Sequence, residues 1–298
     1  MALRRGRRRR TGVWTRRGMP KRTKEMWHIP KRKNIEQMKG AIEILLDPQL
    51  SFNGKTWTKG RKETFNTELA KRGFTESEAP LSPSGLRTLE ALLKYFGFIF
   101  YIEPIIQVTD AGRYFLKNPR EAFTLQMLKL QITNPVILRS CVGIHVFPFR
   151  TTLRLLLDNR LEGFLTSGEM GYILFMRMKH ERDYEKVVKD IQSFRNSGQE
   201  IRERELEIFK KSPEGQVTLV KAPSVKYYMS FCVYTGLCNQ DGDKLKISPG
   251  KEETVEDLLL KFKNVDIYDF GKNISLWMQY FGDPKRLSPP RNITIRFV

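Results

Sequence analysis

Cysteine is scarce in this chain: Cys141, Cys232 and Cys238 are the three thiols in 298 residues. Each has apolar neighbours in sequence, so no disulfide framework is expected and a reducing, cytoplasmic setting is the default. Histidine is as sparse, at positions 28, 145 and 180, and no CxxC or HExxH spacing that would chelate zinc occurs. No GxxxxGK[ST] is present, which excludes a P-loop ATPase. No apolar run approaches the roughly 20 residues needed to cross a bilayer. The N-terminus has no apolar segment behind its charges, so neither a membrane partner nor a secretory signal is expected. Acids are in deficit too, 33 against 53 Lys plus Arg. Only one Lys has an acid two residues before it, in Asp283-Pro284-Lys285, and a central Pro suits a metal-site strand poorly. No catalytic residue, metal ligand or cofactor is therefore assigned within the chain.

What remains is a globular protein, 40% hydrophobic, with a formal charge of +20 and length for two domains. The charge is unevenly placed. From Arg4 to Lys33 there are 14 basic residues and one acid, Glu25, so this stretch supplies +13 of the total. Six Arg within residues 4 to 10 point to a polyanion, of which nucleic acid is the commonest. The same Arg-rich, acid-poor composition also fits an organelle-targeting peptide. Pro20 and Pro30 prevent one continuous helix, so residues 1–33 read as a basic arm, disordered until bound.

Beyond the arm, periodicity predicts a mainly α fold with small β-hairpin wings. Ile35, Met38, Ile42 and Leu45 form one helical stripe that Asp47-Pro48 stops. Helices over Trp57–Arg72 and around Leu86–Phe96 follow, and Gly97 then frees the chain to fold back through Phe98–Ile102 and Ile105–Thr109. Three helices and a two-stranded wing are the winged-helix (helix-turn-helix) order, assigned to 34–118. Residues 119–160 read as connecting helices. A second such module is assigned to 161–250, opened by the capping-box spacing Thr166–Glu169 and closed by a helix, Gly236 and a hairpin turning at Asp241-Gly242. Gly97 precedes Val108 by 11 positions and Gly236 precedes Ile247 by 11, with Thr109 and Ser248 next; the repeat suggests one unit used twice. Residues 251–298 read as C-terminal helices and a linker toward a nuclease domain that this chain lacks.

Long donors suit phosphates, while Arg, Asn and Gln can make bidentate contacts to base edges. The candidate DNA-binding residues are accordingly Arg7, Arg8, Arg9, Arg10, Lys31, Arg32 and Lys33 in the arm and Lys59, Arg61, Lys62 and Arg87 in the first module. In the second they are Lys226, Tyr227, Asn239, Gln240, Lys244 and Lys246.

FNTELAKRG, YFGFIFYIEPIIQVTDAGR, DIQSFRN, YTGLCNQDGDKLKISP and YFGDP occur in this order. The series resembles the N-terminal half of the AlwI-type Type IIS restriction and nicking endonucleases, over roughly residues 27–290. The resemblance implies a DNA-recognition region of winged-helix subdomains. In that family a Mg²⁺-dependent nuclease domain follows, so Mg²⁺ is expected only with such a domain attached, and the partners implied are double-stranded DNA and a downstream cleavage domain or second nuclease subunit. The Arg-rich arm departs from the family pattern. Three other readings stand beside this one: a stand-alone winged-helix regulator, an RNA-binding protein using the arm, and a complete nuclease with an unrecognised site.

Overall fold

Asn34 accepts a hydrogen bond from the Glu36 amide at 3.0 Å and so starts α1 (Ile35–Leu46), whose Ile35, Met38, Ile42 and Leu45 are buried. In the computed structural model, which describes residues 26–31, 33–102, 104–137, 141, 143–221 and 223–288, a short strand β1 (Lys55–Thr56) comes next. Thr58 caps α2 (Lys59–Lys71) and Ser82 caps α3 (Pro83–Tyr95), which buries Leu86, Leu89, Leu92 and Leu93. Gly97, at φ +68°, turns the chain into β2 (Ile99–Ile102) and β3 (Ile105–Val108). The three strands form an antiparallel sheet ordered β1-β3-β2. Strand β1 is not announced in the sequence, because two residues carry no readable period.

Then come α4 (Asp110–Lys117) and α5 (Pro119–Lys129), followed by α6 (Pro148–Leu157) and β4 (Phe164–Thr166). The capping box is formed: Thr166 caps the Glu169 amide while the Glu169 carboxylate accepts from the Thr166 amide. It opens α7 (Ser167–Glu169), which runs through a π turn, Met170–Leu174, into α8 (Phe175–Arg177). Three further helices, α9 (Tyr184–Asn196), α10 (Gln199–Lys211) and α11 (Pro213–Gly215), and a π turn, Gln216–Val220, precede α12 (Ser224–Tyr234). Gly236, at φ +75°, breaks α12 before β5 (Cys238–Asp241) and β6 (Lys244–Ile247), in a sheet ordered β4-β6-β5. The helices α13 (Glu252–Lys261) and α14 (Ile274–Phe281) follow. The architecture is thus mainly helical with two small antiparallel sheets.

The two halves match in register. Ile99 pairs with Val108 and Cys238 with Ile247; Ile102 pairs with Ile105 and Asp241 with Lys244, all at a constant offset of 139 residues. The Thr109 amide donates to Phe98 O at 3.0 Å and the Ser248 amide to Leu237 O at 2.9 Å, at the same offset. Both third strands have an early strand on their other side, β1 and β4. As α1 packs on β3, so α6 packs on β4 and β6, which makes α6 more than a connector.

Residues 26–31 correct the picture of an arm left unfolded to Lys33. Trp27 is fully buried: its amide donates to Phe175 O at 3.1 Å, its indole N–H to Met178 O at 2.8 Å, and its ring stacks on Phe175. Such a ring supplies more apolar burial than the nearby charge run can oppose once that run is solvated. The halves meet through Phe96, Phe123 and Phe231, with ring centroids 4.5 to 5.8 Å apart. From α5, Gln126 donates to Phe96 O and Phe281 O, and Lys129 Nζ to Tyr280 O and Asp283 O, each at 2.7 Å, which latches α14 to the end of α3. Burial pulls the Lys129 ammonium down to a pKa of about 7.

Candidate nucleic-acid interface

The helix before the hairpin of each half presents a basic residue at the same place. Arg87 on α3 and Lys226 on α12 are separated by the 139-residue offset that relates the strands, and both are exposed. Burial of Leu86, Leu89 and Leu93 fixes the roll of α3, and burial of Val225, Tyr228, Met229 and Cys232 that of α12. Each helix therefore holds its inner face against its sheet and turns the intervening positions to solvent.

The first half also carries Lys59, Arg61 and Lys62 on the opening turn of α2. Lys59 is 92% exposed and its 3.8 Å approach to Glu63 is loose, so it is available to an anion. Arg61 donates to Thr56 O at 2.7 Å, and Arg87 Nε to Pro83 O at 3.2 Å, with other guanidinium N–H groups left over on each. Lys62 is differently placed: its ammonium lies 3.8 Å from the Glu90 carboxylate, which also accepts from Trp57 Nε1 at 3.1 Å and Tyr101 OH at 3.2 Å. Glu90, buried on α3, thereby ties α3 to α2 and β2. Burial, with the Glu90 charge adding to it, raises the Tyr101 phenol well above its ordinary pKa.

In the second half Lys244 and Lys246 leave β6 on one face, because Leu245 and Ile247 between and beyond them are buried on the other. Lys244 Nζ sits 4.3 Å over the Phe164 ring, and Lys246 is paired with Asp241 at 2.8 Å, a hydrogen bond that lowers the Asp241 pKa. Asp241 is largely exposed and Lys246 half-buried, so the pair is open to solvent on its acid side and a phosphate can replace Asp241 at little cost. Gln240 is exposed and donates to Gly242 O at 2.8 Å; Asn239 has a buried Oδ1 without a hydrogen-bond partner. Tyr227 and Lys31 line one small cavity at the start of α12, and Lys33 is half-buried nearby in sequence. Arg7, Arg8, Arg9, Arg10 and Arg32 lie outside the described residues.

No group of three or more His, Cys, Asp or Glu able to hold a metal ion occurs among the described residues. Asp283, the acid of the single acid-x-Lys match, sits in the turn after α14, where its Oδ1 accepts from the Lys285 amide at 2.9 Å and its carbonyl from Lys129. No described helix is long and apolar enough to cross a membrane.

The family model of the Type II restriction endonuclease HgaI, N-terminal domain, matches residues 117–269, just over half of the chain. The chain belongs to this family. The resemblance of the sequence motifs to the N-terminal region of a restriction endonuclease thus holds at the level of this family. The matched stretch runs from the end of α4 past α13 and so includes Lys226, Tyr227, Asn239, Gln240, Lys244 and Lys246; the first-half candidates lie outside it. A solved structure of the BpuJ1 endonuclease binding domain, in complex with pyrene- and phenanthrene-modified DNA, shares the fold at a TM-score of 0.56 and 16% identity, over 89% of this chain and 100% of that one. No curated protein matches.

Two residues of the interface escape a sequence reading. Glu90 shows only as a charge on the outer side of a helix, since its partners lie 11 to 33 positions away. Ser224 precedes the apolar stripe that begins at Val225; in the structure Pro223 holds the cap position and Ser224 is the first helical residue. The Pro-Ser pair before the apolar stripe is the one available signal.

Proposed function

We propose that this chain is the sequence-specific double-stranded DNA-recognition region of a Type IIS restriction or nicking endonuclease, built as two winged-helix modules. The observation that carries the reading is the repeated unit: same strand order, same register, and Arg87 and Lys226 at the same place on the helix before each hairpin. A helix that packs one face on a three-stranded sheet and exposes donors on the other suits the major groove, where Arg or Lys pairs with guanine O6 and N7. Family membership and the fold shared with the BpuJ1 binding domain support it. The first module then spans α1 to β3, and the second runs from α6 to β6 with α9–α11 inserted before its groove helix. The narrower kinship with AlwI-type enzymes rests on the five sequence motifs, and we place the protein in the cytoplasm.

We assign cleavage to a separate nuclease domain or second subunit. Phosphodiester hydrolysis needs carboxylates converging on Mg²⁺, and the absence of any group of three or more His, Cys, Asp or Glu among the described residues supports this reading. Fluorescence anisotropy with duplex DNA, duplex RNA and single-stranded DNA of one sequence tests the reading. Duplex DNA is expected to bind tightest, because the major groove of A-form RNA is too narrow for helix entry. Equal or tighter binding of duplex RNA contradicts it.

A further inference from the structure

The start of α12 lacks the cap that its counterpart has. Ser82 caps α3 by accepting from the Gly85 amide at 3.1 Å, but the cap position of α12 is Pro223, which offers no side-chain acceptor. An uncapped first turn leaves amide donors without a side-chain acceptor at the positive end of the helix dipole, about half a unit charge. Beside it lies a cavity of about 210 Å³ whose walls include Trp27, Lys31, Val217, Ser224 and Tyr227. Ser224 is 4% exposed, and its Oγ is buried without a hydrogen-bond partner. A buried hydroxyl left unpaired is costly, and an oxygen-rich anion at this spot would satisfy it. Lys31, held here because Trp27 anchors the segment, brings a full positive charge to the same rim.

We infer that this cavity is a phosphate-binding site, in which the first turn of α12 and Ser224 Oγ donate to phosphate oxygens and Lys31 neutralises them. Resting on the DNA-recognition reading, its occupant is a backbone phosphate of the bound duplex, clamped at the same first turn of α12 that carries the exposed Lys226. Tyr227 then serves the backbone and not a base edge, and the buried 26–31 segment is part of the interface instead of a tether for the arm.

Ser224→Ala separates a binding role from a structural one, because the two move in opposite directions. Removing an unpaired buried hydroxyl should leave the Tm of the free protein unchanged or higher. It should weaken binding about tenfold, and equally for all duplex sequences, since a hydrogen bond to a charged group disappears. Lys31→Gln should make the slope of log K against log [salt] less steep by about 0.9. Inorganic phosphate, compared with chloride at equal ionic strength, tests the site without DNA. Wild-type binding to duplex DNA that is unchanged in both variants, with phosphate raising the Tm of wild type and Ser224→Ala alike, overturns the site and leaves the recognition reading intact. Phosphate stabilising wild type but not Ser224→Ala, with no duplex binding by either, keeps the site as one for free phosphate and removes the recognition reading.

Discussion

Arg87 and Lys226 occupy one position of a repeated unit, the exposed flank of the helix that precedes each glycine-broken hairpin, 139 residues apart. In the proposed reading such a pair divides one recognition task between two helices, and the residues around each helix set how firmly it is held.

The arm is expected to act through charge alone. Deleting residues 1–25 should weaken binding to every duplex about equally and flatten the salt dependence, each phosphate no longer neutralised removing about 0.9 from the slope. Extending the deletion through Lys33 also removes Trp27, whose absence from the core should cost roughly 3–5 kcal/mol of stability. Urea unfolding of the two truncations checks this. Equal stability would show that Trp27 anchors nothing.

The second hairpin is expected to discriminate between bases. Replacing Asn239 and Gln240 by Ala should relax preference at one or two positions, by about 1–3 kcal/mol for each base contact removed. Gln240 spends one donor on Gly242 O and keeps the rest of its amide for a base. An unchanged preferred sequence in the double variant would make the hairpin a backbone clamp.

Lys129 should give the fold a pH dependence on the alkaline side. Its pKa is about 7 in the folded chain against 10.5 for an ordinary lysine, so between those values the unfolded chain holds a proton that the folded one does not. Stability therefore rises with pH across this window, by at most about 1.4 kcal/mol per unit from this group, and its penalty is fully present below pH 7. Urea midpoints at pH 7 and pH 9 should rise for wild type, and Lys129→Met should lose most of that rise. The same increase in both would assign it to another group.

Purified chain incubated with Mg²⁺ and a supercoiled plasmid carrying the preferred site should leave the plasmid uncut and un-nicked. The Asp283 carboxylate is engaged by the Lys285 amide and stands in no cluster of acids among the described residues. Site-dependent nicking that disappears in Asp283→Ala would make this chain a nuclease in its own right.

The repeat was legible because its decisive residues are chemically forced. A glycine is favoured where a helix turns back at positive φ, and an aliphatic residue followed by a hydroxyl residue ends the returning strand in both halves. The edge strands β1 and β4 were not legible, since two or three residues show no alternation and are defined by partners 50 to 80 positions away. Trp27 was hidden by its neighbours: a lone aromatic amid Lys and Arg looks solvated until the groove between Phe175 and Tyr228 is in view. At the interface the sequence identified exposed donors such as Lys59, Arg87 and Lys226 but not their competitors. That Lys62 answers to Glu90 and Lys246 to Asp241 is a matter of tertiary contact and, in the hairpin, of register.

The central claim is that two equivalent helices read duplex DNA. It is tested most directly by selecting binders from a random duplex library with wild type, Arg87→Ala and Lys226→Ala. One enriched asymmetric motif is predicted for wild type, with Arg87→Ala relaxing one part of it and Lys226→Ala a different part, each by about 1–3 kcal/mol at the base affected. No enriched motif, or a wild-type motif left unchanged in both variants, would contradict the account.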